Sequence, residues 1–158
     1  MMLKRVLFNI FIASLVFLVQ INILSNFEVA GIKPNLILIF LVTNMLLKKD
    51  NLIVFIQTIY LSILIESIFN TKVLVIYLLI IFFIYKIQNI VRNEILFYIF
   101  VIGISEIIYL FKFYVFEILL EKRVDFIFYF FRIMMPDVVY TVLLSIIVYF
   151  IIRKKYDR

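Results

Sequence analysis

Apolar runs separated by short charged or polar breaks divide the chain into segments of membrane-crossing length. Val6 to Leu24 is uncharged over about 19 residues, and about 20 apolar residues span a bilayer as a helix. Lys4 and Arg5 precede it. A secretory leader is the competing reading, but the run is long for a leader's apolar core, and Ser25-Asn26-Phe27-Glu28 offers no small-x-small cleavage pattern. It is read as the first membrane helix. The next run, Asn35 to Leu47, covers only about 20 Å at 1.5 Å per residue, less than the roughly 30 Å hydrocarbon core. Val29, Ala30 and Ile32 extend it upstream across Gly31, Lys33 and Pro34, which predicts a discontinuous span whose helix opens at Pro34. Proline suits a first helical turn, where its missing N–H costs nothing. Non-helical backbone at membrane depth survives only where protein or water covers it, so residues 31–35 are expected to face other helices.

Four more runs follow, at 52–69, 73–91, 95–119 and 133–152. With the first two, at 6–24 and 34–47, they predict an all-α integral membrane protein. About six transmembrane helices form one bundle, a single polytopic domain over residues 1–158. Val124 to Phe131, short and strongly aromatic, reads as an interfacial or re-entrant segment ahead of the last span.

Composition agrees. Hydrophobic residues make up 67% of the chain, well above the roughly half expected of soluble domains, and a small domain cannot hide that much apolar surface from water. Absence of cysteine rules out disulfides, thiolate metal sites and cysteine nucleophiles. Absence of histidine removes the commonest general base and metal ligand. No cofactor and no metal site is expected, and no nucleic-acid partner either. The net charge of +6 sits at the ends of apolar runs rather than on a solvated face. Lys4, Arg5, Lys48, Lys49, Lys86, Arg92 and the basic tail Arg153, Lys154, Lys155 and Arg158 fall on the side of the N-terminus. Lys33, Lys72, Lys122, Arg123 and Arg132 fall on the other, and Lys112 lies inside the fifth span. The positive-inside rule then places both termini in the cytoplasm, in a bacterial inner membrane, with lipid as the surrounding partner.

Three features together resemble the family of the rod shape-determining protein MreD. They are the basic N-terminal anchor helix; Pro34-Asn35-Leu36-Ile37-Leu38-Ile39 leading into an apolar helix that ends Leu46-Leu47-Lys48-Lys49; and a last helix that opens Met134-Met135-Pro136-Asp137-Val138-Val139 and closes in a basic tail. The likeness covers nearly the whole chain. It departs from the family pattern at Ser62 and Ile63, where glycines are usual, at Glu66, where the acidic residue is usually Asp, at the missing glycine around Asn70 to Lys72, and at Thr141, near the place of a frequent Asn. The resemblance implies a non-enzymatic scaffold of cell-wall elongation. Its partner would be a single-span MreC-like protein, and through it the MreB filament and the RodA–penicillin-binding protein synthase. It also implies a fold similar to the substrate-binding subunits of energy-coupling-factor transporters. A vitamin-binding subunit of that kind is the alternative function, although the absence of Trp and His and the scarcity of Gly weigh against a vitamin pocket.

Six positions stand out as partner-binding or intramembrane polar candidates. Glu106 lies about mid-span in the fifth run, where a carboxylate costs a few kcal/mol or more unless paired or protonated. Its bland role is a packing hydrogen bond, through Ser105 or Thr141. Glu66 ends the third span with Ser62 and Asn70 on its face, either an edge for a partner or a carboxylate in interfacial water. Pro34 with Asn35, and Pro136 with Asp137, open the second and sixth spans toward the outer face. Helix-start chemistry explains both pairs, and two such starts facing one another would form an outward pocket. Lys112 is expected to snorkel its ammonium toward the headgroups.

Overall fold

In lipid a chain segment must satisfy its own backbone N–H and C=O groups, and a helix does so within the segment. A computed structural model of the chain describes residues 2–27, 32–48, 51–69, 71–88, 95–119 and 125–156. Every regular element among them is helical. Helix α1 (Met2–Leu18) runs through a π-helical turn (Val19–Ile23) into a short 3-10 turn (Leu24–Phe27). Helix α2 (Leu36–Thr43) continues as a π-helical turn over Asn44–Lys48. Helices α3 (Asn51–Phe69), α4 (Leu74–Ile87) and α5 (Ile95–Leu119) follow. The last helical run comprises α6 (Phe126–Tyr129), a π-helical turn (Phe130–Met134) and α7 (Met135–Tyr156).

Among the described residues four stretches are long and apolar enough to cross a membrane: Leu3–Ile23, Asn51–Phe69, Ile95–Val115 and Phe126–Arg153. Leu36–Leu46 and Leu74–Ile87 are apolar but shorter. The span expected at 73–91 is described as a helix only to Ile87, and its last three residues lie outside the described residues.

Burial explains why α2 can be short. Its sequence is apolar all round, the pattern of a helix with neighbours on every side. Ile37, Leu38, Ile39, Leu41, Val42 and Met45 are all within a few per cent of full burial. It packs against α1, α3, α4, α5 and α7, so it is the axis of the bundle and needs no lipid-facing length. Lipid-facing positions fall instead on the outer helices. Leu7, Phe11, Leu15 and Leu18 form an exposed stripe on α1, and Val139, Leu143, Ile147 and Ile151 form one on α7 at four-residue spacing.

Polar side chains tie the helices together inside. Thr43 Oγ1 and Tyr98 Oη lie 2.7 Å apart, and the same tyrosine hydroxyl donates to the Ser145 carbonyl at 3.3 Å. One phenol thus joins α2, α5 and α7, and its ring packs 4.8 Å from that of Tyr149. Ser14 and Tyr60 join α1 to α3 at 2.8 Å. Gln57 donates to the Asn9 carbonyl at 3.1 Å and accepts from Asn44 at 3.3 Å.

The end of the chain differs from expectation. The aromatic segment is not a separate interfacial piece: Phe126–Tyr129 is helical and runs through the π-turn into α7. The π-turn gives the reason. A proline within a helix lacks an N–H and crowds the carbonyl four residues back, and the wider turn over Phe130–Met134 sits immediately before Pro136, where it can absorb both. Pro136 is therefore a mid-run proline, not a helix start.

Replacing Tyr98 by phenylalanine is expected to lower stability by about 0.5–1.5 kcal/mol, the usual range for a hydrogen bond in water or lipid. Reversible unfolding of the purified protein in mixed micelles, followed by circular dichroism, measures it. Unchanged stability would mean that the hydroxyl carries none of the three-helix contact.

Candidate functional site

The break before α2 leaves backbone groups that the helix itself cannot pair, and two other elements supply the partners. Gln20 donates from Nε2 to the Pro34 carbonyl at 3.1 Å and accepts at Oε1 from the Leu36 N–H at 2.7 Å. One primary amide thus matches a donor and an acceptor two residues apart, as a neighbouring strand would. The π-turn of α1 carries that glutamine; such turns recur where a helix must re-aim a side chain. The Asn35 N–H donates to Thr141 Oγ1 on α7 at 3.1 Å. Asn35 Oδ1 caps the helix by accepting from the Leu38 N–H at 3.1 Å, the standard service of Asn at this position. Of the stretch 31–35 expected to face other helices, Pro34 and Asn35 are buried, but Ile32 is only partly covered and Lys33 is exposed, while Gly31 lies outside the described residues.

Around that break lies a cavity of about 460 Å³. It is lined where α1, α3 and α5 finish and where α2, α4 and α7 begin, so it occupies one end of the bundle. Its walls are mainly apolar, from Phe17, Ile21, Ile37, Ile65, Leu110 and Phe113. Its polar lining is Gln20, Lys33, Asn35, Thr71, Glu106 and Asp137, with Tyr77 and Tyr109. The two tyrosine rings stack nearly parallel, 5.3 Å apart at 9°, and Phe113 meets Tyr109 edge-on at 5.4 Å.

Asn35, Glu106 and Asp137, read separately from the sequence, thus come together at one place. Glu106 is only 1% exposed. Its carboxyl interacts with Asn35 from α2 and Asp137 from α7, while Thr141 accepts from the Asn35 backbone. Glu106 Oε2, Asp137 Oδ1 and Asn35 Nδ2 are buried and have no hydrogen-bond partner among the described residues. Neither carboxylate has an ion pair among the described residues, and Lys33 is exposed at the cavity's edge. Asp137 also loses the helix-start role expected of it. The helical run begins at Phe126, and the Met135 N–H already bonds the Phe130 carbonyl, so no free helix end lies beneath the aspartate.

Glu66 stands apart. Its Oε1 accepts from the backbone N–H groups of Val73 and Leu74, each at 2.8 Å. It caps α4 from the end of α3 and fixes the tight connection between them. Ser62 is fully buried with its hydroxyl unpaired, and Asn70, the third member of the expected Ser-Glu-Asn edge, lies outside the described residues. Pro34 shapes the break without lining the cavity, and Pro136 precedes the lining residue Asp137. The Lys112 ammonium does not reach outward as expected: it is buried, 5.0 Å from the centre of the Phe113 ring.

Gln20 and Tyr77 were not singled out by the sequence, and Tyr109 only as an aromatic neighbour of Glu106 on the fifth span. Gln20 carried a signal, as a polar side chain inside an otherwise apolar run. The tyrosines carried none that separates them from interfacial aromatics. Among the described residues no group of three or more Asp or Glu side chains is placed to hold a metal ion. The chain matches no protein-family model, no curated protein and no solved structure.

Thr141→Val keeps the side-chain shape and removes the acceptor of the Asn35 N–H, leaving a buried donor unpaired. The expected loss is about 1–3 kcal/mol, read from unfolding in mixed micelles, against a smaller loss for Thr141→Ser. Equal stability of the valine variant and the parent would show that the contact with Thr141 does not hold the break.

Proposed function

We propose that the chain is a non-enzymatic membrane scaffold of the MreD kind. On this reading it crosses the bacterial inner membrane six times with both termini in the cytoplasm, α2 and α4 counting as short crossings. It docks a single-span MreC-like protein, and through it the MreB filament and the RodA–penicillin-binding protein synthase, to maintain rod shape. The observation that carries the reading is the meeting of the two stretches on which the resemblance rests. Pro34–Ile39 and Met134–Val139 are about a hundred residues apart, yet Asn35 and Asp137 line one cavity, and the Asn35 backbone bonds α7 at Thr141. Residues that look like a family signature then have a shared structural task. The grouping of helix ends supports the alternating crossings, since α1, α3 and α5 finish where α2, α4 and α7 begin. Docking in lipid has no hydrophobic drive and depends on close packing and interhelical hydrogen bonds. Glu106 is too deeply buried to touch a partner on the outer surface, so its part in docking would be to hold α2, α5 and α7 in place.

The cavity favours a second reading, a substrate-binding membrane subunit of an energy-coupling-factor-type vitamin transporter. Its volume of about 460 Å³ falls within the roughly 300–1,000 Å³ of small-molecule sites. Crosslinked co-purification from the native membrane, with partners identified by mass spectrometry, separates the two. The scaffold reading expects a single-span coiled-coil protein together with wall-synthesis enzymes. Recovery of a paired ATPase and a coupling membrane subunit instead would overturn it in favour of the transporter.

A further inference from the structure

The cavity holds two acid groups with no ion pair to either among the described residues, the lysine of its lining, Lys33, being exposed at the edge. Glu106 comes from α5 and Asp137 from α7, and each presents a buried oxygen with no hydrogen-bond partner among the described residues. A polar group withheld from water without a partner costs free energy, and an acid group costs most. Thr141 accepts from the Asn35 N–H and Gln20 serves the backbone of Pro34 and Leu36, and neither bonds the unpaired acid oxygens among the described residues. The Asn35 oxygen caps α2 through Leu38, which assigns the amide orientation and turns Nδ2 toward Glu106 and Tyr77. Glu106 Oε2 and Asp137 Oδ1 still lack a close hydrogen-bond partner among the described residues. Beside the acids stand the stacked rings of Tyr77 and Tyr109, and aromatic faces attract cations as well as apolar surface. The remaining wall is aliphatic and aromatic.

We propose that this cavity is a binding site for a small organic cation, an ammonium or guanidinium group carried on an aromatic or aliphatic body. Glu106 and Asp137 receive the charged head, and Tyr77 and Tyr109 flank it. The apolar walls take the body, and Asn35 Nδ2 offers a donor to any acceptor the ligand carries. The site lies at the bundle end where α2 and α7 begin, which on the six-crossing topology is the outer one, so the ligand reaches it from outside the cytoplasm. The inference is independent of the scaffold reading: a scaffold with or without a wall-synthesis partner can hold such a ligand.

The test uses the full chain in lipid nanodiscs and three probes of one shape: 3-phenylpropylammonium, 3-phenylpropanol and 3-phenylpropanoate. Equilibrium dialysis measures retention against nanodiscs lacking protein. The expected result is saturable retention of the ammonium probe, at least tenfold tighter than the alcohol, with the carboxylate excluded. Glu106→Gln and Asp137→Asn should each weaken the ammonium probe at least tenfold while leaving the alcohol unchanged. Equal retention of ammonium and alcohol, preference for the carboxylate, or no saturable retention of any probe would overturn the proposal. The comparison of the three probes on the unaltered protein decides it even if one variant fails to insert.

Discussion

Backbone polar groups cannot be left unpaired inside a bilayer, and the break ahead of α2 is where this chain meets that constraint. Pro34 stops a helix from extending upstream, so the groups of residues 34–36 need partners from elsewhere. They find them in a glutamine amide on α1 and a threonine hydroxyl on α7. Once those bonds are made, α1, α2 and α7 have fixed positions relative to one another. The central burial of α2 follows, because a short helix with an irregular start must be covered on all sides. The outer helices then turn their leucine, isoleucine and phenylalanine stripes outward, where lipid is the natural solvent.

The same constraint accounts for the cavity. A regular helix start at α2 would let α5 and α7 pack against it along their length. Here the start is irregular and bonded to α7 at Thr141, and the polar side chains that serve it crowd into one region. Asn35 uses its oxygen for the cap and its N–H for Thr141, and its remaining nitrogen looks into the space with Glu106 and Asp137 nearby. Stability therefore explains some of these polar groups and not others. Gln20, Thr141 and Glu66 each complete backbone hydrogen bonds. Glu106 and Asp137 complete none, and they are the residues whose cost asks for a ligand.

Sequence reasoning reached the helices more easily than their meeting. Runs of apolar residues set the helical segments, and the combination of a short run with Pro34 foretold that the entry to α2 at Pro34 and Asn35 is covered by protein. What could not be read was which polar residues share a space. Asn35, Glu106 and Asp137 are each visible as polar interruptions, but about seventy and a hundred residues separate them along the chain, and only packing relates them. Glu66 was legible as a carboxylate near a helix end, yet its service to the next helix depends on how tightly the α3–α4 connection closes. The continuity of α6 with α7 was hidden for a local reason. Pro136 and Asp137 carry the chemistry of a helix start, and nothing in the residue pattern announces the π-turn that lets the helix pass through them.

The most direct measurement is disulfide trapping between Asn35→Cys and Thr141→Cys, in a chain that has no cysteine of its own. A disulfide forms only when the two Cα atoms lie within about 7 Å. With the protein in its membrane and a mild oxidant, mass spectrometry of the digested chain should find the 35–141 bridge. A control pairing Asn35→Cys with Lys86→Cys, at the far end of α4, should give none. Absence of the 35–141 bridge, or equal bridging in the control, would contradict the packing of the broken helix start against α7 on which the bundle and its cavity rest.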